Sequence, residues 1–454
     1  MLEVINPADG TLVRRYPEAN LRDARDAVAR AHRDQIVWQK TGFTVRRRCM
    51  QTAAAVLRRR SRELAQLMTL EMGKPVSDAL AEIEKCALVC EYYAEGAEAM
   101  LAAEITLANT TRSYWVHRPL GVVLAVMPWN FPFWQVFRFA APNLMAGNAG
   151  VLKHASNVPG CALAIEEVFR EAGFPEHLFR AVLVGSDVVG MLLEDEHVRA
   201  VTVTGSVSAG RAVAERAGAL LKKSVLELGG SDPYLVLKDA DLDLAAEVCA
   251  KSRLINSGQS CIAAKRFIVV GEVYDDFLQR FVAHMAAARV GNPMDERTEV
   301  GPQARVDLRD DLHDQVVRSV GAGACVVLGG AVPDRNGAWY PPTVLIDVQP
   351  GMPAWEEELF GPVASVIRAR DEEDTIRIAN ATMFGLGAAV FTQDLERGER
   401  IARDHLEAGS CFVNAFVRSD PRLPFGGIKE SGYGRELSPL GIREFVNVKT
   451  VCVS

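Results

Sequence analysis

Several things are missing from this chain, and each absence narrows its class. Basic residues are not in excess: 51 lysines and arginines stand against 58 acids, a formal net charge of −7, which argues against general nucleic-acid binding. No apolar run is long enough to span a bilayer and no charged-then-apolar leader follows Met1, so the expectation is a cytoplasmic protein without a membrane partner. The nine cysteines form no paired framework, and an odd count in a long chain speaks for free thiols in a reducing compartment. Cys86 and Cys90 sit one helical turn apart, but no second pair or nearby histidine completes a metal site, so they read as core and no metal is expected. Internal repeats, low-complexity tracts and long Pro/Gly linkers are absent.

What is present is an apolar fraction of 49% over 454 residues, enough for a substantial core in two or three domains. Leu21 to Trp38, Val45 to Met72 and Ser77 to Leu101 repeat apolar residues at helical spacing with few breakers. The arginine clusters Arg46 to Arg48 and Arg58 to Arg60 fall on that second helix and read as a solvated face. Further on, helices alternate with short β-branched runs such as Ala181 to Gly185 and Ala200 to Val203, the pattern of βαβ units and a parallel sheet. The fold class is α/β. Val116 to Val126 holds a Pro-Leu-Gly turn between β-rich flanks, which spacing alone reads as a hairpin, and Phe445 to Val453 reads as an edge strand. Gly321 to Gly337 and Pro350 to Glu358 read as loops.

Two short segments carry the chemistry: Leu226 to Gly230 (L-E-L-G-G) and Asn256 to Cys261 (N-S-G-Q-S-C). A cysteine behind a glycine and among small polar residues suits a nucleophile whose backbone must come close to a substrate, and a glutamate on a glycine-rich turn can serve it as a base. A lone cysteine is more often a buried small hydrophobe. The segments around this one change that balance: Met127 to Pro132 (M-P-W-N-F-P), Leu152 to Ala155 (L-K-H-A), Thr204 to Gly210 (T-G-S-V-S-A-G), Glu358 to Pro362 (E-L-F-G-P) and Pro424 to Gly427 (P-F-G-G). In order, spacing and residue type the whole series resembles the aldehyde dehydrogenases, over nearly the full length of the chain.

That resemblance implies a Rossmann-type cofactor-binding domain over 1–108 and 124–228, an α/β catalytic domain over 229–428, and a small β arm for oligomerisation from 109–123 and 429–454, giving a homo-oligomer, either dimer or tetramer. It implies oxidation of a small-molecule aldehyde with NADP or NAD. Cys261 would add to the aldehyde as thiolate, the Asn130 amide would hold the resulting oxyanion, and Glu227 would activate water against the thioester. Read singly, Asn130 could be a turn residue beside Pro132, and Glu227 an ion-paired surface residue. No G-x-G-x-x-G is present; the family instead uses Gly205 and Ser206 at a strand-to-helix junction for the pyrophosphate. Lys153 would meet the adenosine ribose, Glu358 the nicotinamide ribose, and Phe360 and Trp129 would line the nicotinamide pocket.

Three residues after Lys153, NAD-preferring relatives often carry a glutamate that repels a 2′-phosphate. Ser156 stands there, so NADP is expected to be accepted. His154 replaces a common proline and is either part of that preference or a structural substitution. The segments L-K-H-A-S-N-V-P, E-L-G-G-S-D-P and C-I-A-A-K-R-F look like bacterial succinate-semialdehyde dehydrogenases, in which a substrate carboxylate meets an arginine and a hydroxyl; Arg138 and Ser419 fall at those positions. Two subfamily features are absent: Ile255 stands where many carry a second carboxylate-binding arginine, with Arg253 a weak substitute, and Ala263 stands where some carry a second cysteine able to form a disulfide. Alternatives are oxidation of glutarate semialdehyde or an aliphatic aldehyde, an interdomain ion pair as the role of Arg138, and a non-catalytic binding protein on the same fold.

Overall fold

Apolar periodicity makes the first hundred residues helical, and the computed structural model, which describes residues 1–454, shows where each helix stops. The first, Leu21–Trp38, opens on a capping box in which Asn20 and Asp23 satisfy each other's backbone N–H groups. The long helix expected over Val45 to Met72 is two, Phe43–Arg59 and Ser61–Met72. Arg60 between them leaves helical geometry (φ −96°, ψ 9°), and its guanidinium pairs with Glu63 and Glu167 at 2.7 and 3.1 Å. The fourth helix is Val76–Met100, with Cys86 and Cys90 fully buried along it.

Arg46 corrects the reading of its cluster as a solvated face. It is buried and donates to the carbonyls of Met145, Trp38 and Gln39 at 2.9, 3.1 and 3.0 Å. One side chain thereby closes the ends of two helices, Leu21–Trp38 and Trp134–Ala146.

Two large sheets follow. The six-stranded sheet runs, from one edge, Gly432–Tyr433, Lys223–Glu227, Val198–Thr204, Val122–Met127, Ala149–His154 and Phe179–Ala181. All its pairings are parallel except that of Gly432–Tyr433. Val203 therefore lies beside Leu226 and Val126, and Lys153 beside Val126. The C-terminal ends of four strands reach one edge, at Met127, His154, Thr204 and Glu227.

The seven-stranded sheet runs Cys325–Leu328, Thr343–Ile346, Val363–Ala369, Arg266–Val270, Pro233–Val236, Gly387–Phe391 and Ser410–Val413. Only its first pairing is antiparallel. Both faces are covered: Leu235 and Ile268 belong to one buried cluster, Tyr234 and Phe267 to another, as alternation along a doubly covered strand requires.

A three-stranded sheet stands apart from both, with Arg112–Pro119 between Glu104–Thr106 and Val446–Val453. The hairpin expected over Val116 to Val126 is thus not one. The chain turns at Gly121 (φ +136°) and sends its two flanks into different sheets. Smaller corrections fall on loops: Cys325–Leu328 is a strand inside the stretch 321–337, Pro353–Glu356 is a short helix inside 350–358, and the strand expected over 181–185 is Phe179–Ala181.

Replacing Arg46 by methionine keeps the stem and loses the carbonyl bonds. A drop of about 2–4 kcal/mol in unfolding free energy by denaturant titration is expected, whereas a solvated arginine would give under about 0.5 kcal/mol.

Candidate active site

The C-terminal edge of the six-stranded sheet faces the N-terminal edge of the seven-stranded one, and the candidate residues stand on the segments that leave or enter those edges. Asn130 follows Met127, Lys153 and Ser156 close and follow the strand Ala149–His154, Gly205 and Ser206 follow Thr204, and Glu227 ends its own strand. From the other side, Cys261 precedes Arg266–Val270, and Glu358 and Phe360 precede Val363–Ala369, which is the next strand in the sheet. Strand order alone therefore gathers positions separated by more than a hundred residues.

The segment before Cys261 is held in an unusual shape. Asn256 and Ser257 both adopt the left-handed region (φ 53° and 57°), followed by Gly258 at φ +77°. A Cβ at Gly258 would lie 2.2 Å from the carbonyl carbon of Gly361, so only glycine permits this contact with the E-L-F-G-P segment. Strain of this kind persists where surrounding bonds over-determine it. The Asn256 Nδ2 donates to the carbonyls of Asn130 and Gln259 at 2.8 and 3.0 Å, and Ser257 Oγ accepts from Gly301 N at 2.9 Å.

Lys265 fixes the other side of the loop. Its buried ammonium donates to the carbonyls of Ser260 and Cys261 at 2.8 and 2.7 Å and lies 3.3 Å from Glu358. Glu358 in turn accepts from Gly230 N at 3.0 Å. Trp129 and Phe360, from opposite sides, meet edge to face with centroids 5.7 Å apart.

Asn130 is buried, and its amide is oriented: Gln135 Nε2 donates to its Oδ1 at 3.1 Å, which turns Nδ2 toward the carbonyl of Gln259, also at 3.1 Å. An amide so placed beside the thiol segment can donate to an oxyanion formed on the sulfur's substrate. Glu227 is 2% exposed, and neither carboxyl oxygen has a hydrogen-bond partner. Burial pushes its carboxyl well above the usual range, opposed by Arg138 and reinforced by Glu436. Burial thus favours its neutral form, and the ionised fraction is a stronger base toward water than an exposed carboxylate. Burial also pushes the Cys261 thiol up to about 12, opposed by Lys265 and Arg138. Burial thus favours the thiol over the thiolate in the nucleotide-free enzyme.

Cys261, Arg138 and Ser419 line one cavity of about 210 Å³. Arg138 is not a free cation there: it is ion-paired with buried Glu436, lies 3.4 Å from Thr204 Oγ1 and covers the Phe425 ring at 4.7 Å. Arg253, fully buried, spends its guanidinium on the Gly258 carbonyl at 2.6 Å, while Ile255 lines the cavity instead.

The residues present fit a dinucleotide. Gly205 has open space where a Cβ would stand, and Ser206 caps the helix Val207–Ala219 by accepting from Ala209 N at 3.3 Å. The first helical N–H groups beyond it are those that bind phosphate in such junctions. Ser156 is exposed beside buried Lys153. His154 belongs to the scaffold: Nδ1 accepts from Ala155 N at 2.9 Å, so Nε2 carries the hydrogen and donates to the Pro132 carbonyl at 2.9 Å. Burial pulls it down to about 4, so it offers no charge to a phosphate.

Gln135, Lys265 and Glu436 were not anticipated. Lys265 lies inside C-I-A-A-K-R-F and Gln135 just beyond M-P-W-N-F-P, so both had a local signal. Glu436, nearly 300 residues from its partner Arg138, had none.

Cys261 lines a cavity with Arg138 and Ser419, while Glu227 lies buried at its strand end outside that lining, and a capped helix start stands at the same sheet edge. The chain belongs to the aldehyde dehydrogenase family, whose model matches residues 1–451. It is 48% identical over 453 residues, covering all of both chains, to a probable NADP-dependent succinate-semialdehyde dehydrogenase of Synechocystis. It is 49% identical over 456 residues, again end to end, to the NADP-dependent succinate-semialdehyde dehydrogenase 1 of Mycobacterium tuberculosis strain H37Rv. Among solved structures, that of succinic semialdehyde dehydrogenase from Streptococcus pyogenes with NADP+ superposes with a TM-score of 0.97 at 36% identity, with full coverage of both chains.

Alkylation of Cys261 in the nucleotide-free enzyme, followed by peptide mass spectrometry, tests its protonation. The rate should rise about tenfold per unit between about pH 7 and about pH 9 without levelling off. A plateau below about pH 8 would mean the thiolate already exists at rest.

Proposed function

We propose that this protein oxidises succinate semialdehyde to succinate with NADP, and also accepts NAD, through a thiohemiacetal and a thioester on Cys261. The observation that carries the reading is the single cavity in which the thiol of Cys261 shares walls with Arg138 and Ser419. End-to-end similarity to relatives named for this substrate supports it.

In this account Cys261 reacts through its thiolate fraction, the proton passing to solvent, with Lys265 and Arg138 favouring the charged form against burial. The sulfur adds to the aldehyde carbon, and the charge that develops on oxygen is met by Asn130 Nδ2, already aimed by Gln135. Lys153, Ser156, Gly205, Ser206 and Glu358 would hold the dinucleotide, with Trp129 and Phe360 lining its pocket; when bound, it would supply the hydride acceptor. Glu227 draws a proton from the water that attacks the thioester, and neither of its oxygens is committed to another hydrogen bond. Ser156 removes the negative charge that would repel a 2′-phosphate, and Lys153 beside it favours one.

The nucleotide-binding domain in this proposal comprises 1–108 and 124–228, the catalytic domain 229–428, and the arm 109–123 with 429–454. The exposed flank of Val446–Val453 in the small sheet supports assembly through that arm into a dimer or tetramer. No helix is long and apolar enough to cross a membrane. All nine cysteines are free, which supports a reducing, cytoplasmic setting.

Steady-state comparison of succinate semialdehyde, glutarate semialdehyde and butyraldehyde, each with NADP and NAD, checks the assignment. The specificity constant for succinate semialdehyde should exceed the others by at least about tenfold, or about 1.4 kcal/mol, and NADP should turn over. Preference for butyraldehyde would discard the substrate, and absence of turnover with NADP would discard the cofactor.

A further inference from the structure

Arg138 is already neutralised by Glu436, so the cavity needs another cation if it is to seat a second carboxylate. The same holds for its acids. Glu82 is ion-paired with Lys74 and accepts from Phe133 N and Trp134 N at 2.8 and 2.9 Å. Asp78 accepts from Asn256 N at 3.2 Å, and burial raises its carboxyl. Arg418, which also lines the cavity, is exposed to solvent, and each of the other groups is committed to the scaffold.

Lys85 is not. It projects from the helix Val76–Met100 into the cavity that Cys261 lines, and its ammonium has one hydrogen bond, to Ser419 Oγ at 2.7 Å. The ammonium also lies over the Trp134 ring, 4.2 Å from its centroid. An ammonium has three donors; with one on Ser419 and the Trp134 ring covering one side, a donor remains for a ligand. We propose that Lys85 is the specificity-determining cation of the pocket, binding the carboxylate of the substrate together with Ser419, in place of the arginine that Ile255 displaces. This inference rests on the acid-bearing substrate proposed above.

The charge balance favours it. Burial, with Arg138 nearby, pulls Lys85 down to about 8, so it is still largely charged at neutral pH, and an arriving carboxylate favours the charged form further. Lys85 lies on the N-terminal helical layer, far in sequence from the thiol loop, so its distance from Cys261 is set by packing and selects chain length. A linear aldehyde with a terminal carboxylate is the ligand class this arrangement takes.

The test uses the full-length enzyme and three variants: Lys85→Met, Lys85→Gln, which keeps a donor to Ser419 but no charge, and Lys85→Arg. Succinate semialdehyde and butyraldehyde are compared, with thermal melts to verify folding. In K85M and K85Q the ratio of specificity constants for the two substrates should fall at least about tenfold, with the loss in KM for succinate semialdehyde and not in kcat. K85R should recover most of it. Equal loss for both substrates, an unmoved KM for succinate semialdehyde, or an arginine variant as impaired as the methionine one would overturn the assignment. If the wild type itself shows no preference for the acid, the substrate reading fails and this inference with it. If the wild type prefers the acid and K85Q still does, Lys85 alone is excluded.

Discussion

The contact between Gly258 and Gly361 is the constraint on which the site depends. Two backbones meet where a single methyl group would collide at 2.2 Å, and this joins the loop that carries Cys261 to the segment that carries Glu358 and Phe360. The left-handed conformations of Asn256 and Ser257 are the local cost of bringing the chain into that contact. Lys265, Arg253 and the Asn256 amide offset it with bonds to the carbonyls of the same loop. Position of the thiol thus follows from main-chain geometry, and side chains lock it.

Electrostatics in the cleft obey one rule. Charges that serve the scaffold are paired or spent on carbonyls: Lys74 with Glu82, Arg138 with Glu436, Lys265 with Glu358 and two carbonyls. Glu227 and Cys261, which are given chemistry in the proposed mechanism, have no such pairing. Both oxygens of Glu227 are without partners, and the thiol of Cys261 is raised by burial. Leaving a buried polar group unsatisfied costs about 1–3 kcal/mol, a cost that a water or substrate bound at Glu227 would offset. Arg138 sits between these two classes, since its field lowers both Glu227 and Cys261 while its bonds go to Glu436.

Much of this was legible before any coordinates. Helical spacing located the helices, because an amphipathic stripe over many turns is hard to mistake. It missed the break at Arg60, where no proline or glycine marks the change of direction. The hairpin reading of the Pro-Leu-Gly turn failed because local turn chemistry does not reveal which sheet each flank joins. Arg46 was misjudged for a related reason: composition labels a charge as solvated unless its acceptors are visible, and those are carbonyls at the ends of helices distant in sequence. In the candidate site, motifs single out Cys261, Glu227 and Asn130 because the proposed chemistry demands particular residue types. The pairing of Arg138 with Glu436 and the bond of Lys85 to Ser419 span some 300 residues, and no short pattern encodes them.

The central claim is that Cys261 carries the acyl group and Glu227 releases it. Glu227→Gln, mixed with succinate semialdehyde and NADP, quenched and digested, tests this directly by mass spectrometry. The account predicts a succinyl adduct on the peptide containing Cys261 and nucleotide reduction that stops after about one turnover per site. Continued turnover at the wild-type rate, or an adduct on another cysteine, would contradict it.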